Sequence, residues 1–292
     1  MAGSLQGKFD IVVVGSANLD LVTGVQELPR PGQTVSAASY GEHAGGKGLN
    51  QAVACARMGA RVAFVGCVGD DSSGRMLRDL LADEGIDVTC LRTSEFPTGR
   101  AFITVNSFGE NTIVVVPGAN ADVGSAPDFR LPPCGLLLAQ LEIPTATVAS
   151  VLHQARRAGV RTVLNPAPAV ALPPGLLAVC DVVVPNETEA EALGGADALL
   201  RAGAAAVVIT LGERGALVLT EESTNTVEAH RVVPVDTVGA GDAFVGAMCA
   251  ELVRGTPLVD ACRTGAVAGA LATAVHGAVP SIPTRAAILA AQ

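Results

Sequence analysis

"DIVVVG", residues 10–15, is a short β-branched run that ends in glycine, with nothing polar between its first and last positions. A run of this kind reads as a strand buried on both faces in a parallel sheet. Runs of the same character recur: "RVAFVG" (61–66), "GLLLAQ" (135–140), "RTVLN" (161–165), "DVVVPN" (181–186) and "AAVVIT" (205–210). Most are separated by segments of helix length. That alternation predicts a doubly wound α/β fold, a mostly parallel sheet flanked by helices.

Working outward, "GKGLNQAVACARMG" (46–59), "SSGRMLRDLLADEG" (72–85) and "PTATVASVLHQARRAG" (144–159) are predicted helices, each ending in a glycine suited to the C′ position. Two stretches break the rhythm. Residues 19–43 carry "LPRPGQTV" in their middle, and "GRAFITVNSFGENTIVVV" (99–116) reads as a hairpin with its turn near residues 108–110. Both are expected to leave the main sheet and form a small second sheet, a lid over the strand ends. With no solenoid-period repeat and no low-complexity linker, residues 1–292 read as one domain, its lid strands drawn from about 19–43 and 99–116.

Composition bounds the function classes. Of 292 residues, 49% are apolar, 16% charged and only 3% aromatic, so the core is built from Ala, Val, Leu and Ile. The formal charge of −9, with 19 Lys and Arg spread along the chain, argues against nucleic acid as a main partner; an anionic ligand needs a local site. Cys55, Cys67, Cys90, Cys134, Cys180, Cys249 and Cys262 form no Cys-x-x-Cys pair and read as buried thiols of the cytosol. The N-terminal residues show no apolar signal segment. Residues 264–284 lack Asp, Glu, Lys and Arg but are rich in Ala, Gly and Thr, carry His276, and are broken by Pro280 and Pro283. They read as a buried helix and a loop, so a cytoplasmic protein with no membrane partner is expected.

The common nucleotide fingerprints do not fit. "VVVGSANLDLVTG" lacks G-x-G-x-x-G after the first strand, and "GEHAGGKG" (41–48) approaches a P-loop but has Gly48 where Ser or Thr would hold magnesium. "DTVGAGDAF" (236–244) is a glycine turn opening a helix: the N–H groups of Gly239, Ala240 and Gly241 at its positive end favour an anion such as a transferring phosphoryl group. Asp242 in the first turn can take a proton from an attacking hydroxyl, although a plain helix N-terminal acid explains the motif equally well. In "GGKGLNQA" (45–52), backbone N–H groups, Lys47 and Asn50 can line one pocket. "GSANLD" (15–20) puts Asn18 and Asp20 beyond the first strand's carboxyl end, where they can sort hydroxyl groups or simply form a turn. In "PNETEAE" (185–191), Asn186 and Glu189 share a helical face, either as a cap or as groups holding Mg²⁺ through water. "TLGERG" (210–215) is a tight turn.

Together and in this order, these stretches resemble the ribokinase family of carbohydrate kinases, also called the PfkB family, over almost the whole chain. "GGKGLNQA" and "DTVGAGDAF" are similar to its two signatures; "GSANLD", "QLE" (140–142), "NPAPA" (165–169), "NETEAE" and "TLGERG" follow the family in sequence and order. The resemblance implies transfer of the ATP γ-phosphoryl group to O5 of D-ribose, with Asp242 as base and Gly239, Ala240 and Gly241 as anion hole. It implies that Asn18, Asp20, Gly46, Lys47, Asn50 and Glu142 hold the sugar together with Asp242, and that Asn186 and Glu189 govern Mg²⁺ and phosphate. Thr210, Leu211, Gly212, Glu213, Arg214 and Gly215, with Gly241 and Ala266, are the implied nucleotide contacts. Asp236, Val238, Ala272, Val275, Gly277 and Ser281 are the implied ligands of an activating K⁺, and the family's homodimer forms through the lids. Three departures stand out: Gln33 where the lid usually has Glu, Val238 where Thr is common, and a shortened segment at 194–205. A kinase of the same fold acting on deoxyribose, a nucleoside or a keto-sugar is the main alternative, and a non-catalytic sensor is a weaker one, because Asp242 is kept.

Overall fold

Residues 11–14 of the first strand are wholly buried, and they divide their side chains between two cores. Ile11 and Val13 enter one apolar cluster while Val12 and Val14 enter the other. A strand covered by helices on both faces has no use for alternating polarity, which is why "DIVVVG" reads as a continuous apolar run.

The computed structural model describes residues 9–125 and 130–292. The strands are β1 (Phe9–Val14), β2 (Asn18–Gly24), β3 (Ser39–Gly45), β4 (Val62–Gly69), β5 (Leu91–Ser94), β6 (Gly99–Val105), β7 (Asn111–Val116), β8 (Cys134–Gln140), β9 (Arg161–Asn165), β10 (Val182–Val183), β11 (Val207–Thr210), β12 (Ala216–Leu219) and β13 (Thr224–Val227). The helices are α1 (Lys47–Arg57), α2 (Ser72–Asp83), α3 (Thr145–Arg157), α4 (Glu187–Ala192), α5 (Ala196–Arg201), α6 (Ala240–Val253), α7 (Leu258–Ala272), α8 (Ala278–Ser281) and α9 (Arg285–Ala291).

The large sheet runs β13-β12-β11-β10-β9-β8-β1-β4-β5. It is parallel from β5 to β11, and β12 and β13 add an antiparallel edge. β1 lies between β4 and β8, so successive connections leave it in opposite directions. A crevice opens at the carboxyl ends of strands where the winding reverses. Here it is bordered by the residues following Val14 and those following Gln140.

Side chains from α1, α2, α6 and α7 fill the first cluster, and those from α3 and α5 fill the second. α6 is apolar almost all round and is buried between α1 and α7. Small residues allow that approach: a Cβ on Gly246 would overlap Ala54, and one on Gly265 would sit 2.9 Å from the Phe244 carbonyl oxygen. Overpacking of this kind costs about 1–3 kcal/mol where the neighbours cannot move.

The predicted helices at 46–59, 72–85 and 144–159 form as α1, α2 and α3, and Gly59, Gly85 and Gly159 follow them in the left-handed conformation. Asp71 caps α2 by accepting from the Gly74 N–H at 2.7 Å, and it also accepts from the Thr98 N–H and hydroxyl at 2.9 and 2.6 Å, fastening the helix to the start of β6.

The second sheet has the order β3-β2-β6-β7. The expected strand region 19–43 forms two strands, β2 and β3, and residues 25–38 between them make none, because their Pro and Gly residues cannot serve a ladder. The hairpin at 99–116 is β6 and β7. β10 has only two residues, shorter than "DVVVPN" suggested, and the chain turns after Val184 into the cap of α4.

Candidate active site

The crevice is built first from the end of β1. Beyond Val14, the Ser16 hydroxyl donates to Glu142 Oε2 at 2.5 Å and accepts from the Gly48 N–H at 3.3 Å. Glu142 Oε2 also accepts from the Lys47 N–H at 3.0 Å. A carboxylate thus caps the positive end of α1. The approach is close: a Cβ on Gly48 would lie 2.5 Å from the Ser16 nitrogen, so the helix start requires glycine there.

Asn18 is 2% exposed, and its Oδ1 accepts from Asn120 Nδ2 at 2.7 Å, while Asn120 Oδ1 accepts from the Ala17 N–H at 3.0 Å. The carbonyl end of Asn18 is therefore occupied, and its amide N–H groups remain for a ligand. Asp20 lies two residues along β2, and its carboxylate makes no hydrogen bond with the described residues. Its carboxyl is pushed up to about 7, by burial first and then by the neighbouring Glu142 and Asp242. Burial alone would pull Lys47 down, but Asp242, Glu142 and Glu189 outweigh it and hold the ammonium above its ordinary value.

Asp242 stands in the first turn of α6, 7% exposed. Its Oδ2 accepts from Asn50 Nδ2 at 2.9 Å, and its Oδ1 from Gln51 Nε2 at 2.8 Å. Gly239 precedes the helix in the left-handed region at φ 80°, and a Cβ there would meet the Ala278 Cα at 2.9 Å, so both backbone and space demand glycine. The Ala240 N–H donates to the Thr237 carbonyl at a long 3.3 Å, whereas the Gly241 and Asp242 N–H groups have no backbone acceptor among the described residues. The Gly239 N–H likewise has none, so Gly239 and Gly241 of the 239–241 set expected from sequence keep donors without a backbone acceptor, with Asp242 beside them.

Next to that turn, Asp236 joins two loops: its Oδ1 accepts from the Val238 N–H at 3.0 Å and its Oδ2 from the Gly277 N–H at 2.8 Å. The Val235 and Asp236 N–H groups both reach the Thr273 carbonyl, at 2.7 and 3.0 Å. Ala272 ends α7, Val275 and Gly277 lie on the loop that follows, and Ser281 ends the short α8, where its hydroxyl donates to the Ala278 carbonyl at 2.7 Å. The neighbourhood is one of carbonyl and carboxylate oxygens, the donor set of a hard cation.

On the far side of the crevice, Asn186 and Glu189 form a reciprocal cap on α4: Asn186 Oδ1 accepts from the Glu189 N–H at 2.7 Å, and Glu189 Oε2 from the Asn186 N–H at 2.8 Å. The capping arrangement is thus formed, and one oxygen of Glu189 stays outside it. Burial raises the Glu189 carboxyl, against the Asn186 hydrogen bond and Lys47. Asn186 bridges to Thr210, and the 210–215 turn closes through the Leu211 N–H to the Gly215 carbonyl at 2.8 Å. Arg214 pairs with Glu187 at 2.6 Å at the surface. Ala266 is buried in α7. No group of three or more His, Cys, Asp or Glu side chains among the described residues is placed to hold a metal.

The pfkB carbohydrate kinase family model matches residues 8–285. This chain belongs to that family. Among pfkB kinases, the ribokinase of Haemophilus influenzae is 39% identical over 292 residues, 94% of this chain and 95% of its own. The ribokinase structure of Thermotoga maritima superposes with a TM-score of 0.89 at 34% identity, covering 97% of this chain and 99% of that one. That of Arabidopsis thaliana, solved with ribose and ATP, gives 0.87 at 31% identity, covering 97% and 98%. The expected fold, a mostly parallel sheet with a smaller sheet beside its strand ends, is the one this pfkB kinase has.

Sequence reasoning placed Asn18, Asp20, Gly46, Lys47, Asn50, Glu142 and Asp242 in one site, and the fold of this pfkB kinase brings them to one crevice. It missed Ser16, Gln51, Asn120, Gln140 and Asn165. Gln140 and Asn165 lie inside the quoted "QLE" and "NPAPA", and both end strands of the large sheet, the one signal that pointed at them.

Proposed function

We propose that this kinase transfers the γ-phosphoryl group of ATP to O5 of D-ribose, with Asp242 as the general base. The observation that carries the reading is the convergence, in the crevice between β1 and β8, of a sugar-sorting set with a carboxylate at a helix start. Asn18 offers amide donors and Asp20 an unpaired carboxylate, which together match hydroxyls that both accept and donate. Lys47 and Asn50 extend the set toward Asp242. Asp242 takes the hydroxyl proton, the sugar oxygen bonds to the γ-phosphorus, and the bond to the bridging oxygen breaks, releasing ADP. Charge on the transferring oxygens falls at the N-terminus of α6, where backbone N–H groups stabilise it without reorganisation.

The nucleotide is read as lying along the 210–215 turn, over Asn186 and Glu189, with Gly241 and Ala266 beside it. Mg²⁺ would neutralise the phosphates, and Glu189, with one oxygen outside its cap, would hold it through water. K⁺ would order the glycine turn from the loops that Asp236 joins, using Val238, Ala272, Val275, Gly277 and Ser281. We further propose a homodimer through the lid, supported by Phe102, Ile113, Val114, Val115 and Val116, all exposed on the small sheet. A cytoplasmic setting is supported by seven free cysteines. No helix among the described residues is long and apolar enough to cross a membrane.

The test is ADP release, coupled to a reporter, with ribose, deoxyribose, fructose and adenosine as acceptors. Ribose should give the highest kcat/KM, and Asp242→Asn should lower kcat by at least about 100-fold with sugar and ATP binding near normal. Preference for another acceptor would reassign the substrate. A rate within a few-fold of the parent in Asp242→Asn would remove the base.

A further inference from the structure

A chain of buried amides runs from the backbone of the large sheet to Asp242, and its direction is fixed by chemistry. The Val184 carbonyl, just beyond β10, can only accept, and Asn165 Nδ2 donates to it at 2.7 Å. Asn165 Oδ1 must therefore face Gln51, whose Nε2 donates to it at 2.9 Å. The second N–H of that same nitrogen goes to Asp242 Oδ1 at 2.8 Å. Behind Gln51, its Oε1 accepts from Gln140 Nε2 at 2.5 Å.

Turned the other way, the Gln51 amide would set its oxygen against two acceptors and its nitrogen against the Gln140 donor. Gln51 and Gln140 are fully buried, and Asn165 is 8% exposed, so water is poorly placed to relieve such a mismatch. The orientation is single. Asn50 secures the other oxygen of Asp242, so an amide on each oxygen sets the plane of the carboxylate.

We infer that Gln51, oriented by Asn165 and Gln140, is a positioning residue for the base: it fixes the rotation of the Asp242 carboxylate relative to the strand ends that carry the sugar site. This deepens the reading of Asp242 as base and rests on it. The proposed sugar set includes none of these three amides, so the consequence falls on kcat. A misplaced reacting group costs rate steeply even when binding is intact.

The experiment is a double-mutant cycle in the full-length enzyme with ribose, ATP, Mg²⁺ and K⁺ fixed. Gln51→Met, close in volume and without donors, should lower kcat by about 10-fold or more while KM for ribose and ATP stays within about threefold. In the Asp242→Asn background the same change should have little further effect on the residual rate, because a residue acting through Asp242 has nothing left to position. A kcat within twofold of the parent, a change confined to KM, or a loss that simply adds to that of Asp242→Asn would each overturn the inference. If Gln51→Met does not fold, as shown by its melting transition, Gln140→Met takes its place with the same expected split and non-additivity. The two readings fail separately: an active Asp242→Asn sinks the base itself, whereas an inactive Asp242→Asn beside a fully active Gln51→Met sinks only the positioning role.

Discussion

The carboxylate of Asp20 lies across β3 against the backbone of Gly45, so that a Cβ at Gly45 would overlap both of its oxygens. The two residues are diagonal neighbours on paired strands, since Asn18 is opposite Gly45 and Asp20 opposite His43. Gly45→Ala must push that carboxylate aside. The displaced atoms are the end of a flexible side chain, so stability should change little. KM for ribose should rise by about 10-fold or more, as a mispositioned hydrogen-bond partner loses its hydroxyl, while KM for ATP stays constant. Steady-state kinetics with a melting curve checks this; unchanged sugar affinity would take Asp20 out of the sugar site.

The raised Asp20 carboxyl makes a second prediction, in pH. Its value in the fold is about 7 against an ordinary 3.8, so the ionised form costs stability. That cost is fully present above about 7 and is relieved as pH falls toward 3.8. Asp20→Asn should therefore raise the melting temperature at pH 8 by roughly a few degrees and have much less effect near pH 5, where the parent carries a neutral group. Ribose binding should move oppositely, weakening in the parent as pH drops through 7 because the protonated group is a poorer acceptor for sugar hydroxyls. Calorimetry of ribose binding between about pH 5.5 and 8.5, roughly 1.5 units on either side of the transition, measures it. A flat dissociation constant would separate Asp20 from the sugar.

Asp236 predicts cation dependence. It holds the Val238 and Gly277 N–H groups, and so joins the glycine-turn loop to the loop before α8. Activity in Tris or sodium buffer should be low and rise saturably with KCl at constant ionic strength and fixed free Mg²⁺ and ATP. Asp236→Ala should lose most of that rise and keep ribose affinity. A rate flat in potassium would leave Asp236 as a loop staple only.

The lid predicts association. Val114 is 63% exposed on β7, in line with other exposed apolar residues of an edge strand that pairs with β6 on one side and with no strand of the described residues on the other. Such an edge invites pairing. Light scattering should find a dimer for the parent, and Val114→Lys should shift it toward monomer and weaken ribose binding if closure of the lid depends on the pair. A parent that is monomeric at every accessible concentration would contradict this.

What could be read from the sequence was local. Residues 10–15 are apolar without alternation because both faces of β1 are covered, and the glycines after α1, α2 and α3 mark helix ends because each supplies a left-handed C′ residue. Asp242 could be placed in the first turn of a helix because the glycine turn and the apolar run after it are contiguous. The cap formed by Asn186 and Glu189 was equally legible, since its partners lie three residues apart.

β5, β12 and β13 went unread because four-residue strands carry too few residues for a period to emerge. Gln51 shows the deeper limit. In sequence it is a polar residue beside Asn50 on a helix, and neighbours on a helix do not share a face. Yet both reach Asp242, 191 residues beyond Gln51, because the carboxylate offers an oxygen to each. The sequence by itself determined the layered fold and the chemistry of each turn. Only the tertiary structure decided which amides meet which oxygens, because a buried amide's direction is set by the donors and acceptors the fold brings against it, and those come from strands and helices far apart along the chain.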